Sequence, residues 1–207
     1  METKILEEAQ LDEVVELLLA GEVVAFPTDT VYGVACIYDN EEAITKMKVA
    51  KGRPEYKPFP LMVSNKMQIQ EVAVVDERSE HIIDAWMPGA LTIVLNKKAI
   101  LPDSATNNEP TVAIRMADDE LVCKIINKVG KPLLVTSANL SGEPSTSRYK
   151  EVYEQLNGRI SALIARDSRG AKASTIIDLT ASEIKVLRDG PITLDRILIS
   201  IKDKKER

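Results

Sequence analysis

Short apolar runs, each cut off by a polar loop, are interleaved along this chain with stretches of helical period, in no strict strand–helix–strand order. Glu22 to Phe26 reads as a strand broken at Pro27, and Tyr32 to Ile37 follows across the polar loop Thr28-Asp29-Thr30. Leu61 to Val63, Leu91 to Leu95, Val112 to Met116 and Leu133 to Thr136 are further runs. Leu163 to Ala165, Thr175 to Leu179 and Ile184 to Leu187 crowd the last third. Leu11, Val14, Val15, Leu18 and Leu19 repeat at helical spacing, with Gly21 placed for a left-handed C-terminal residue. Ala43, Ile44, Met47 and Ala50 form a second such face behind a cap at Asp39 or Asn40. Ile69 to Trp86 predicts one or two helices, Leu121 to Val129 another, Tyr149 to Leu156 another, and Pro191 opens a last one carrying Leu194, Ile197, Leu198 and Ile201. Mixed order of this kind predicts an α/β domain with a twisted, partly antiparallel sheet.

At 207 residues, 44% hydrophobic and 29% charged, the chain can bury a core, and disorder, collagen and coiled coil are excluded. It reads as one domain over 1–207, with 202–207 a solvated, frayed tail. Its start is expected to lead into an acidic helix, and with no apolar run near the roughly 18 residues that span a bilayer, a cytoplasmic protein is expected. Lys and Arg number 27 against 32 Asp and Glu, a net charge of -5, so any basic site must be local. Cys36 and Cys123 lack paired spacing and read as small buried hydrophobes. His81, the single histidine, reads as a surface or half-buried helix residue, which leaves no zinc cluster and no Ser-His or Cys-His pair.

Neither a Walker loop nor a Rossmann fingerprint occurs, so a phosphate site would need side chains. The loops supply them: Thr28, Asp29 and Thr30, then Lys48, Lys51, Arg53 and Lys57, then Thr111 and Arg115, then Thr136, Ser137, Asn139 and Ser141. Cations and hydroxyls recurring at strand ends suit an anionic ligand. Each piece also has a plain reading: Thr28-Asp29-Thr30 as a turn, Ser137 and Asn139 as helix caps, Lys51 and Arg53 as surface charge at a helix end. Arg115, closing the apolar run Val112-Ala113-Ile114, is either that strand's exit to solvent or an anion clamp.

Pro27-Thr28-Asp29-Thr30-Val31-Tyr32-Gly33, Lys51-Gly52-Arg53-Pro54 with Lys57-Pro58, Pro88-Gly89-x-Leu91-Thr92, Val112-Ala113-Ile114-Arg115, Thr136-Ser137-Ala138-Asn139-x-Ser141-Gly142-x-Pro144, Ser174-Thr175-Ile176-Ile177-Asp178 and Arg188-x-Gly190 resemble, in order, the motifs of the YrdC (TsaC) family. The resemblance runs from about residue 11 to 200. Ala90 stands where many members have a second proline, and Met62 near where some longer members place a ligand-facing histidine.

The resemblance implies a twisted open mixed sheet flanked by helices around a large concave, positively lined cavity, as also seen in dihydroxybutanone-phosphate synthase. It implies a threonylcarbamoyl-AMP synthase, a nucleotidyltransferase joining L-threonine, bicarbonate and ATP for threonylcarbamoyladenosine in tRNA, with a downstream threonylcarbamoyl transferase complex as partner. By motif, Lys51, Arg53 and Lys57 would hold the ATP phosphates, Lys51 and Arg53 acting in catalysis. Thr111, Ser137, Asn139, Ser141 and Arg188 would help seat the nucleotide. Thr30, Arg115 and Ser174 would hold threonine, Arg115 on its carboxylate, and Mg2+ would ride on the ATP phosphates with no protein ligand. The alternative is a YciO-type paralogue that binds double-stranded RNA or tRNA without synthase activity. A riboflavin-pathway lyase on the related fold would need an acidic metal-binding cluster that the sequence lacks.

Overall fold

The computed structural model describes residues 2–52 and 58–205. The chain opens with β1 (Lys4–Leu6), a single 3-10 turn at Glu8–Gln10, α1 (Leu11–Leu19), β2 (Val24–Phe26), β3 (Gly33–Ile37) and α2 (Glu41–Lys51). After β4 (Leu61–Val63) come α3 (Lys66–Val72), α4 (Glu77–Trp86), β5 (Leu91–Asn96), α5 (Asp103–Thr106), β6 (Thr111–Met116) and α6 (Glu120–Val129). The remainder is β7 (Leu133–Ser137), α7 (Tyr149–Leu156), β8 (Ala162–Ile164), β9 (Thr175–Asp178), β10 (Lys185–Arg188) and α8 (Leu194–Lys205).

The helices start and stop where local chemistry dictates. Asn40 rather than Asp39 caps α2, its side chain accepting from Ala43 N at 3.0 Å. Asp119 caps α6 by accepting from the amides of Leu121 and Val122. Gly21 follows α1 with φ +77°, the left-handed turn its position predicts. Asn65 and Asp76 each cap a helix, which divides the 69–86 stretch into α3 and α4.

The strands join in one ten-stranded sheet of order β1-β8-β2-β3-β7-β4-β6-β5-β9-β10. Pairs β1·β8, β2·β8, β4·β6 and β5·β9 are parallel, whereas β2·β3, β3·β7, β4·β7, β5·β6 and β9·β10 are antiparallel, so the sheet is mixed. β2, β3, β4 and β8 are buried at every position, as expected of continuous apolar runs covered on both faces.

Three expectations need correction. The N-terminal segment forms a strand rather than an acidic helix, because Lys4, Ile5 and Leu6 pair with β8 far along the chain. Cys36 is buried, but Cys123 is only half-buried. The backbone of α8 stays helical to Lys205, into the stretch read as a tail. That helix packs on α4: His81 Nε2 donates to Ser200 O at 2.6 Å, and Trp86 Nε1 donates to Ser200 Oγ at 3.0 Å. His81 is thus the half-buried helix residue expected.

Candidate active site

At one end of the sheet lies a cleft of about 500 Å³, counting the part open to solvent. Its lining includes Thr30, Met62, Thr92, Arg115, Ser137, Ser174 and Arg188. Sequence-predicted residues from β6, β7 and β10 and from the segments preceding β3 and β9 therefore meet in one space.

Arg115 sits near the end of β6 and is 6% exposed. Its strand does not exit to solvent there. Nε donates to Gly89 O at 3.1 Å, Nη1 to Thr30 Oγ1 at 2.6 Å and Nη2 to Asp29 Oδ1 at 2.5 Å. These bonds use three of the five guanidinium N–H groups and leave one hydrogen on each terminal nitrogen. Burial lowers the proton affinity of Arg115 and Asp29 opposes that shift. The group stays charged, since arginine ionises far above any working pH.

The Thr28 to Thr30 turn is what holds that fork. Thr28 Oγ1 donates to Val31 O at 2.8 Å and accepts from Thr30 N at 3.0 Å. Its single hydrogen is thereby used, so in the 3.1 Å contact between the two hydroxyls Thr30 is the donor. Thr30 Oγ1 points its lone pairs at Arg115. The turn is pressed from outside by the segment after β8. Thr28 N donates to Ser168 Oγ at 3.0 Å, Arg169 N donates to Thr28 O, and Gly170 lies so close that a Cβ would be 2.6 Å from Asp29 O.

On the opposite side, Arg188 Nε donates to Ser174 O at 2.9 Å and Nη2 to Ser174 Oγ at 3.0 Å, while Thr92 Oγ1 lies 2.8 Å from the same hydroxyl. Burial lowers the proton affinity of Arg188, and the charge of Arg115 lowers it further. The two guanidiniums therefore share an electrostatic environment that an anion would relieve.

Lys51 departs from its plain reading. It is not surface charge: at 2% exposure, its Nζ donates to the backbone carbonyls of Ser137 and Asn139. Ser141 N donates back to Lys51 O at 2.8 Å, so the end of α2 clamps the turn after β7. No helix follows that turn until α7, so Ser137 and Asn139 are not caps. Asn139 Nδ2 donates to the carbonyls of Leu140 and Glu143, and its buried Oδ1 has no partner among the described residues. Asn139, Ser141 and Thr111 do not line the cleft itself. Thr111 lies four residues up β6 from Arg115, roughly 13 Å by strand rise. Arg53 and Lys57 lie outside the described residues. Sequence reasoning named Asp29 only as part of the Thr28-Asp29-Thr30 loop and Thr92 only as part of a motif, and gave neither an individual role in binding threonine or ATP.

A buried Arg115 and a more exposed Arg188, held by hydroxyls, carbonyls and the Asp29 carboxylate, face one cleft at the strand ends of a mixed sheet, in a domain of the α/β class. The Sua5/YciO/YrdC family model, described as telomere recombination, matches residues 16–190, and the chain belongs to that family. A threonylcarbamoyl-AMP synthase of Bacillus subtilis is 36% identical over 191 residues, which are 91% of this chain and 55% of that protein. One from Photobacterium profundum is 35% identical, covering 87% of this chain and 98% of its own. A solved P. abyssi Sua5 complexed with L-threonine superposes with a TM-score of 0.91 at 32% identity, over 97% of this chain and 61% of that one. The chain thus spans about half the length of the Bacillus relative.

Proposed function

We propose that the chain is a threonylcarbamoyl-AMP synthase, a nucleotidyltransferase converting L-threonine, bicarbonate and ATP into threonylcarbamoyl-adenylate, pyrophosphate and water. The observation that carries the reading is the Arg115 fork, held on three sides with two N–H groups to spare and facing a cleft shared with Arg188. A carboxylate is the natural acceptor for such a group.

In this reading the threonine amine captures the carbon of bicarbonate with loss of water, and a carbamate oxygen attacks the α-phosphorus as pyrophosphate leaves. The chemistry asks for no protein nucleophile. It asks for two mutually repelling anions to be aligned and their charge neutralised, which fixed cations do best in a site partly shielded from water. Arg115 takes the amino-acid carboxylate, with Thr30 and Ser174 fixing the geometry around it. Arg53 and Lys57 hold the triphosphate, and Lys51 joins them while shaping the turn that carries Ser137, Asn139 and Ser141. Thr111 and Arg188 complete the nucleotide seat. Asp29, engaged with Arg115, would not serve as a ligand for Mg2+, and the ion, when bound with ATP, would supply charge neutralisation to the triphosphate. The protein works in the cytoplasm, and its adenylate is passed to a transferase acting on tRNA.

The test is pyrophosphate release from ATP by the purified chain. Release should require both L-threonine and bicarbonate; release indifferent to either refutes the proposal. Double-stranded RNA binding is a separate property, read from a steep loss of affinity with added salt.

A further inference from the structure

We infer that Asp29 is a positioning residue, which holds the Arg115 guanidinium in the orientation that receives the amino-acid carboxylate. Three observations carry this. The ion pair is nearly solvent-free, with side chains 7% exposed at Arg115 and 10% at Asp29. Asp29 does not line the cleft, whereas Arg115 does, so Asp29 acts through the arginine and does not touch substrate. Asp29 is itself held from outside by close backbone packing of Gly170 on Asp29 O and Thr30 Cα, which passes rigidity from the segment after β8 to the fork.

The geometry divides the guanidinium between two tasks. Asp29, Thr30 and Gly89 take three N–H groups and fix the plane, and the remaining two are left for a ligand. Without Asp29 the group keeps its charge but loses the bond that fixes Nη2. A long side chain with a free plane loses affinity through entropy and misalignment.

The kinetic arm rests on the synthase reading. Asp29→Ala should raise the KM for L-threonine about tenfold or more and leave the KM for ATP within about twofold. Asp29→Asn, which keeps an acceptor oxygen facing Nη2, should recover most of that loss. A merely structural role predicts parallel damage to both substrates and no advantage of Asn over Ala, and that result overturns the inference. A second arm stands without any activity. In nitrogen-15 spectra the Arg115 Nη protons of the wild type should appear as separate, slowly exchanging signals, which collapse in Asp29→Ala and persist in Asp29→Asn. Equal spectra for the wild type and Asp29→Ala overturn the positioning role. If pyrophosphate release never depends on threonine while the Nη signals behave as described, the synthase reading fails and the positioning role stands.

Discussion

Replacing Lys51 by methionine keeps most of the side chain's volume and removes its ammonium, so it isolates what that charge contributes. Nζ donates to Ser137 O and Asn139 O. Hydrogen bonds from a charged donor contribute about 1.5–3 kcal/mol each. The two losses are unequal. Ser137 O keeps a second donor, Asn139 N at 3.0 Å, whereas Asn139 O has no other partner among the described residues and would stay buried and unpaired. Methionine returns part of the loss as apolar burial and spares the desolvation of an ammonium. A net destabilisation of about 3 kcal/mol results, which for a chain of this size is a fall of about 6–12 °C in Tm. Scanning calorimetry of Lys51→Met beside Lys124→Met makes the comparison, since Lys124 is exposed and paired across one helical turn to Glu120. The surface variant should stay within about 2 °C of the wild type. If Lys51→Met stays there too, the ammonium's bonds to the turn after β7 contribute nothing to stability and the clamp is refuted.

In the synthase reading, Arg115→Ala removes a charged partner that would contribute roughly 2–3 kcal/mol to a bound carboxylate, so the KM for L-threonine should rise about 30- to 150-fold. A larger effect on ATP than on threonine would show that the carboxylate binds elsewhere. Gly170→Ala places a Cβ 2.6 Å from Asp29 O and 2.7 Å from Thr30 Cα, both backbone atoms with no room to yield. It should lower threonine-dependent turnover and Tm together, and a variant indistinguishable from the wild type would mean that the segment after β8 does not constrain the turn. Burial pushes the Cys36 thiol up to about 12, above its unfolded value, so the stability it contributes is intact below about pH 9 and is lost as pH rises from there toward 12. Urea melts between pH 8 and pH 11 should therefore show a steeper alkaline decline in the wild type than in Cys36→Ala, and identical slopes would refute the assignment.

What was legible in the sequence follows the range of the interactions concerned. Leu61–Val63 and Tyr149–Leu156 coincide with β4 and α7 because a buried strand and an amphipathic helix write their pattern within their own residues. β1 left no such pattern. Three residues with one buried side chain are held as a strand by pairing with Ala162 to Ile164, a partner no local window contains. α5 is a single turn of four residues, too short to carry a period. The same division runs through the site. Arg115 stood out because a charge closing an apolar run needs a reason. Asp29 sat in a loop where turn chemistry already explained it, and its partner lies 86 residues away. The burial of Lys51 was hidden for an electrostatic reason: a lysine in the last turn of a helix is favoured there in any case by the helix dipole, so its residue type revealed nothing about exposure.

The mixed sheet explains why the motifs are so scattered. In a doubly wound parallel sheet, ligands gather at the carboxyl ends of the strands. Here Arg115, Ser137 and Arg188 stand at the ends of β6, β7 and β10, while Gly33, Leu61 and Thr92 stand at the starts of β3, β4 and β5, and Ser174 just before β9. Antiparallel neighbours put the end of one strand beside the beginning of the next, so loops on both sides of a strand serve the same cleft. β6 and β10 are separated by β5 and β9, three sheet steps or about 14 Å. Both guanidiniums nevertheless line the same cleft, and the charge of Arg115 adds to the burial that lowers the proton affinity of Arg188. A sheet that supplies one cation from either flank and hydroxyls from the strands between can hold two anions side by side with neither resting on a phosphate loop.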